Sequence, residues 1–165
     1  MGRRNISDAP WITKDGVIDI SKLPLEYNFD AATGSNRQSA LESIRVLKLA
    51  THHGRLDASV FLMGLLVSLP LEDWEMRSAT VDALQYTHSQ QCAMLLFSEI
   101  RRVKSSNTTR RYIDAILDVL GSFPEKLVRT EFEALAADTC FSYTPSALSR
   151  RPRSCAPAWW ANDSR

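Results

Sequence analysis

Apolar and polar positions recur along the middle of the chain at helical rather than strand spacing. The clearest stretch is Met76-Arg77-Ser78-Ala79-Thr80-Val81-Asp82-Ala83-Leu84, in which Ala79, Val81 and Leu84 can share one face with Arg77 and Asp82 turned away. Six helices are predicted from the pattern and its punctuation. The first runs over 36–53, opened by a capping box at Ser35-x-x-Gln38 and closed by Gly54 in the left-handed conformation. Asp57 starts the second, which reaches residue 69. Val60, Phe61, Leu62, Met63, Leu65, Leu66, Val67 and Leu69 nearly surround it, so a buried helix at the centre of the core is expected. After Pro70, the acidic Glu72 and Asp73 favour the start of a third helix over 71–87. Ser89 is the expected N-cap of a fourth over 90–104. Asn107 or Thr108 can cap a fifth over 109–120, and Ser122-x-x-Glu125 with Pro124 opens a sixth over 124–138.

Before these helices the pattern changes. Asp15-Gly16 lies between two short β-prone runs, Trp11 to Lys14 and Val17 to Ile20, which predicts a hairpin with a type I′ turn. Its apolar side, with Trp11, Leu25, Tyr27 and Phe29, is expected to lie against the first helices and cap them, or else to serve as a binding arm. After Phe141 the periodicity stops. Residues 142–165 hold Pro145, Pro152, Pro157 and four arginines, a composition that predicts a disordered basic tail. Within it Trp159-Trp160 can act as an aromatic docking motif. The expected organisation is an N-terminal arm at 1–34, a helical domain at 35–141 and the tail at 142–165.

The central stretch has echoes. Arg37-Gln38-Ser39-Ala40-Leu41-Glu42-Ser43-Ile44 repeats its pattern upstream, and Ala115-Ile116-Leu117-Asp118-Val119-Leu120-Gly121 repeats its second half downstream. The spacings, about 40 and 36 residues, fall in the range of two-helix solenoid repeats. Arg77-x-Ala79-x-Val81-x-Ala83-Leu84 resembles the R-x-A-A-x-x-A-L core of HEAT-type repeats, and Val119-Leu120-Gly121 resembles their A-L-G ending. The resemblance covers roughly residues 36–140 and is best in the middle copy. The first copy carries Ser39, Ser43 and Ile44 where alanines and leucine are usual, and the third has Ile113 in place of the arginine. The expected fold is therefore mainly α: a short α-solenoid of about three antiparallel helix pairs with a small N-terminal β-hairpin. An irregular helical domain is the alternative.

Composition narrows the classes. The 165 residues suit one domain, and 44% apolar with 24% charged residues is the balance of a soluble globular protein. A net charge of +1 argues against a globally basic nucleic-acid binder. The most apolar run, residues 58–71, is interrupted by Gly64 and stopped by Pro70, so no membrane span is expected, and a cytoplasmic location follows from the lack of an apolar signal region behind Arg3 and Arg4. Cys92, Cys140 and Cys155 are too few and scattered for a disulfide framework or a zinc site. Asn5-Ile6-Ser7, Asn107-Thr108-Thr109 and Asn162-Asp163-Ser164 fit the glycosylation pattern, by chance if the chain is cytoplasmic.

Little in the chain points to catalysis. His52 and His53 are adjacent on a helix, about 100° apart, and suit a helix end better than a shared metal. No phosphate-binding glycine loop and no nucleophile with a base at suggestive spacing is present, so neither a catalytic residue nor a cofactor or metal is assigned. The best local binding signal is electrostatic. Arg101-Arg102-x-Lys104 and Arg110-Arg111 place five basic residues close together with no acid among them, flanking one inter-helix loop. Such a patch can hold phosphates or an acidic partner. The resulting expectation is a non-enzymatic module that binds another protein. Nucleic-acid or phosphate binding through the patch is the first alternative, and an enzyme with its site spread across helices the second. The pattern also allows self-association through an uncovered end of the stack.

Overall fold

The computed structural model describes residues 9–103 and 106–137. The expected tail at 142–165, with its Trp159-Trp160 pair, lies outside them. Among the described residues the chain is mainly helical, with no strand. Seven α-helices follow one another: α1 (Glu26–Ala32), α2 (Arg37–His52), α3 (Leu56–Ser68), α4 (Trp74–Ala83), α5 (Gln90–Arg102), α6 (Arg110–Gly121) and α7 (Glu125–Ala137). A 3₁₀ turn, Ile20–Lys22, precedes them.

Where a hairpin is expected, the pairing amounts to one isolated antiparallel bridge between Ile12 and Ile18. Thr13 N–H donates to Val17 O at 2.8 Å and Asp19 N–H to Trp11 O at 2.6 Å. Within this connection only Gly16 has a positive φ, 77°, so it is not the type I′ form, which needs two such residues. Instead Gly16 N–H closes a four-residue turn on Thr13 O. The following segment forms α1, a helix absent from the sequence-based expectation. It is short, and its N-cap residue Leu25 makes no side-chain cap bond. Tertiary packing holds it: Leu25 and Ala32 are buried in the same core as the later helices, and the Phe29 ring lies 4.5 Å from that of Phe61 on α3. Tyr27, expected on the apolar side, is exposed.

Local chemistry sets the other helix ends. Asn36, rather than Ser35, caps α2, its side chain accepting from Ser39 N–H at 3.0 Å. At the far end Gly54 takes φ 80°. Its N–H donates to Thr51 O while Arg55 N–H donates to Ala50 O, the paired bonds of a Schellman cap. Asp73 caps α4 through Met76 N–H, so that helix starts later than residue 71 and stops at Ala83, earlier than expected. Ser89 caps α5 through Cys92 N–H, as its sequence position predicts. Thr109, not Asn107 or Thr108, occupies the cap position of α6.

Side chains at helical spacing then close one core. On α2 the buried set includes Ala40, Ile44, Leu47 and Thr51; on α5 it includes Cys92, Ala93, Leu96, Phe97 and Ile100; on α7 it includes Val128, Phe132 and Leu135. Helix α2 packs against α1, α3 and α4; α4 packs against α3 and α6; α5 packs against α6 and α7. Ring pairs tie these contacts: Trp74 with Tyr112 between α4 and α6, and Phe97 edge-on to Phe132 between α5 and α7. Helix α3 departs from expectation. Leu62, Leu65 and Leu66 are buried, but Leu56, Val60 and Val67 face solvent, so its continuous apolar composition does not mark a helix enclosed on all sides. No helix among the described residues is long and apolar enough to cross a membrane.

Candidate functional site

Three polar assemblies stand out, and they differ in what they can do. The first is buried. Arg77 lies in the central stretch at a position whose periodicity suggests a solvent-facing side chain, yet it is only 1% exposed. Its Nε donates to Pro70 O at 2.9 Å and one terminal nitrogen to Leu69 O at 2.8 Å, which satisfies carbonyls where α3 gives way to α4. The other terminal nitrogen donates to Glu99 on α5 at 3.0 Å. Glu99 also accepts from Tyr112 Oη on α6 at 2.7 Å and from Arg102 at 3.0 and 2.8 Å. One carboxylate thus joins three helices, and the outward turn assigned to Arg77 from the sequence is corrected by this network. A buried guanidinium is tolerated only when paired and hydrogen-bonded.

The electrostatics of this node follow from its contacts. Burial pushes the Glu99 carboxyl up, but the bonds from Arg102 and Tyr112 and the charges of Arg102 and Arg77 outweigh it, leaving the group below its ordinary value of 4.5. Burial and the neighbouring carboxylate push the Tyr112 hydroxyl well above the usual phenol range. A depressed carboxylate contributes stability that is present above its unfolded pKa and is lost as pH falls through the folded one. Asp73 and Asp57 are depressed too, so the contribution of Glu99 is a difference between proteins. Urea midpoints measured between about pH 5 and pH 3 should fall more steeply in the native chain than in Glu99→Gln. At the alkaline end the sign reverses. Stability held by neutral Tyr112 is present below about pH 10 and lost above it, and Tyr112→Phe should flatten that limb. Parallel curves for native chain and variants would contradict both assignments.

The second assembly is the basic cluster singled out from the sequence. The fold treats its members differently. Arg101 donates to Glu131 on α7 at 2.6 Å, and Arg102 is engaged by Glu99. Both acids come from outside the basic run, which is why the local sequence looks unneutralised. Arg110 and Arg111 are exposed at the start of α6, with no ion pair among the described residues. Lys104 lies outside the described residues.

The third assembly is a cleft of ≈ 360 Å³, which sequence reasoning did not find. It opens where the α1–α2 connection, the end of α3 and the start of α4 meet. Ala40, Leu65, Leu69 and Met76 form an apolar floor, and Thr33, Ser35, Arg37, Ser68 and Asp73 a polar rim. Arg37 grips Asp73 in a fork, both N···O distances 3.0 Å, and reaches Glu75 at 3.3 Å. The fork and the Met76 N–H hold the Asp73 carboxyl below the usual range against the opposing effect of burial. The only sequence signal for this place is the pairing of Asn36-Arg37 with Asp73-Trp74 as the starts of α2 and α4, 37 residues apart, within the range of two-helix repeats. A volume of this size receives one or two side chains or a small ligand.

The remaining titratable groups of interest have structural surroundings. His52 stacks on Tyr86 with ring centroids 4.2 Å apart, and His88 Nε2 lies 3.0 Å from Gln85 O. Cys92 is fully buried, and burial pushes its thiol up to about 12. Among the described residues no group of three or more His, Cys, Asp or Glu is arranged to hold a metal ion. Comparison with protein families, with curated proteins and with solved structures finds no match to this chain.

Proposed function

We propose that this protein is a short α-solenoid of three antiparallel helix pairs, α2–α3, α4–α5 and α6–α7, that binds another protein. The helix contacts support the solenoid reading: α2, α4 and α6 pack side by side in chain order, and α5 packs on both α6 and α7. Stacks of this kind offer a surface made by successive helices, and recognition there needs no reactive group. The observation that carries the binding reading is the cleft between the first and second pairs. Its apolar floor suits an aliphatic or aromatic side chain of the partner, while Arg37 and Asp73 at the rim can exchange their mutual fork for polar groups of the partner.

A second reading rests on Arg110 and Arg111, which keep their charges exposed and can contact phosphates. One experiment separates the two. Affinity capture from nuclease-treated lysate at raised salt is compared for the native chain, for Ser68→Arg, which places a large cation over the cleft floor, and for the double variant Arg110→Glu/Arg111→Glu. A defined protein retained by the native chain and the double variant but lost at least tenfold with Ser68→Arg supports the cleft. Nucleic acid recovered without nuclease, lost at high salt and lost in the double variant, supports the phosphate reading. A protein captured equally by all three removes the cleft from the proposal.

A further inference from the structure

The outer face of α3 has a symmetry that its place in the fold does not require. Leu56, Val60 and Val67 are 79%, 65% and 69% exposed, and Leu71, just beyond the helix, is exposed as well. Three of the ten large apolar side chains exposed among the described residues therefore share one face of this helix, with a fourth just past its end, so the face is a patch and not a scatter. Between Asp57 and Glu72 there is no charged residue. At the centre lie half-buried Met63 and exposed Gly64, where an added Cβ would meet nothing within 4 Å. A glycine in an exposed helix interior weakens the helix, and no contact among the described residues calls for one here.

We propose that α3 pairs with α3 of a second copy of this chain, antiparallel, about a two-fold axis between Met63 and Gly64. The exposed apolar positions are a palindrome about that point. Val60 and Val67 are equidistant from it in sequence, and so are Leu56 and Leu71. An isologous contact needs this self-complementarity, since each residue i that meets j must be matched by j meeting i. Val60 then meets Val67 of the second copy, and Met63 enters the gap left by the second copy's Gly64, where the missing side chain lets the backbones approach. Charge selects the same direction. Parallel pairing would set Asp57 on Asp57 at the start of both helices, whereas antiparallel pairing places the two at opposite ends of the contact. The apolar area available, on the order of 800 Å² over both copies, is small for a permanent interface and fits a reversible dimer with a dissociation constant on the order of 10–100 µM. This assignment goes beyond the partner-binding reading and does not depend on it, since α3 turns a different face to the cleft.

The test is sedimentation equilibrium of the full chain from about 5 to about 500 µM. The native protein should pass from one chain mass to two. Val60→Glu and Val67→Lys change only exposed positions, so their circular dichroism should match the native chain, yet each alone should stay at one chain mass. Mixed in equal amounts they should dimerise again, because the register sets the introduced glutamate of one variant against the introduced lysine of the other and leaves a native valine pair beside them. A native chain that stays monomeric throughout overturns the proposal, as does a dimer that survives Val60→Glu or a mixture that fails to associate. A chain that becomes dimeric only when residues 138–165 are removed assigns the α3 face to that segment, and equally overturns pairing in the full chain.

Discussion

Replacing Glu99 with alanine is expected to lower the free energy of unfolding by about 3–5 kcal/mol, because it leaves a buried guanidinium without its counter-charge. Arg77 keeps its two backbone acceptors, Leu69 O and Pro70 O, in the variant, but neither carries a formal charge. Tyr112 Oη and Arg102 lose their acceptor at the same time. For a chain of this length the change corresponds to a fall in melting temperature on the order of 10 °C. The informative control removes the buried cation together with its counter-charge. Arg77→Met, Glu99→Leu and Tyr112→Phe eliminate the Arg77–Glu99 pair and the Tyr112 hydroxyl and leave the partly exposed Arg102 to solvent, and the triple variant should lie within about 2 kcal/mol of the native chain, since well-packed apolar groups often replace a buried ion pair at little cost. Urea denaturation of the native chain and the two variants measures both quantities. A single variant no less stable than the triple would show that the network does not carry the charge of Arg77.

Phe97→Ala should cost about as much, roughly 3–5 kcal/mol, but with a different distribution through the molecule. Phe97 is fully buried, and its ring meets Phe132 edge-on at a centroid separation of 5.1 Å. That pair, with the Arg101–Glu131 ion pair, fastens α7 to α5. The ion pair is partly exposed and contributes at most about 1 kcal/mol, so apolar burial, with the ring contact beside Val128 and Leu135, dominates the attachment. Truncation should release α7 before the rest. Hydrogen exchange of amides in Glu125–Ala137 should accelerate far more than exchange in Arg37–His52. Uniform acceleration would mean that α7 is no looser than the remainder.

The parts of this fold legible in the sequence are those whose cause is local. Ser89 and Gly54 end or begin helices through bonds to residues three or four positions away, and both are visible from spacing alone. The class of fold, mainly helical, follows from periodicity. Failures have distant causes. Helix α1 has turn-like residues, Asn28 and Asp30, and no side-chain cap; the Phe29 contact with Phe61 stabilises it from outside the segment. Arg77 shows the limit of amphipathic reasoning most clearly. A lone charge on a helix is assigned to solvent unless its partner is seen, and Glu99 lies 22 residues away. The basic cluster carries the same lesson with the opposite sign: the acid that meets Arg101 is 30 residues further on. Helix α3 misled for another reason. An uninterrupted apolar run gives no periodicity to separate a face buried within the chain from one left open.

The buried node also constrains the order in which a chain made from its N-terminus can fold. Arg77 emerges from the ribosome well before Glu99 and Tyr112. Until they follow, α4 cannot settle on α3 without enclosing an unneutralised cation, whereas α1, α2 and α3 contain all the groups that their mutual contacts use. Synthesis is therefore expected to proceed with the first three helices gathered and α4 held solvated, and consolidation to come in one step once the carboxylate on α5 arrives.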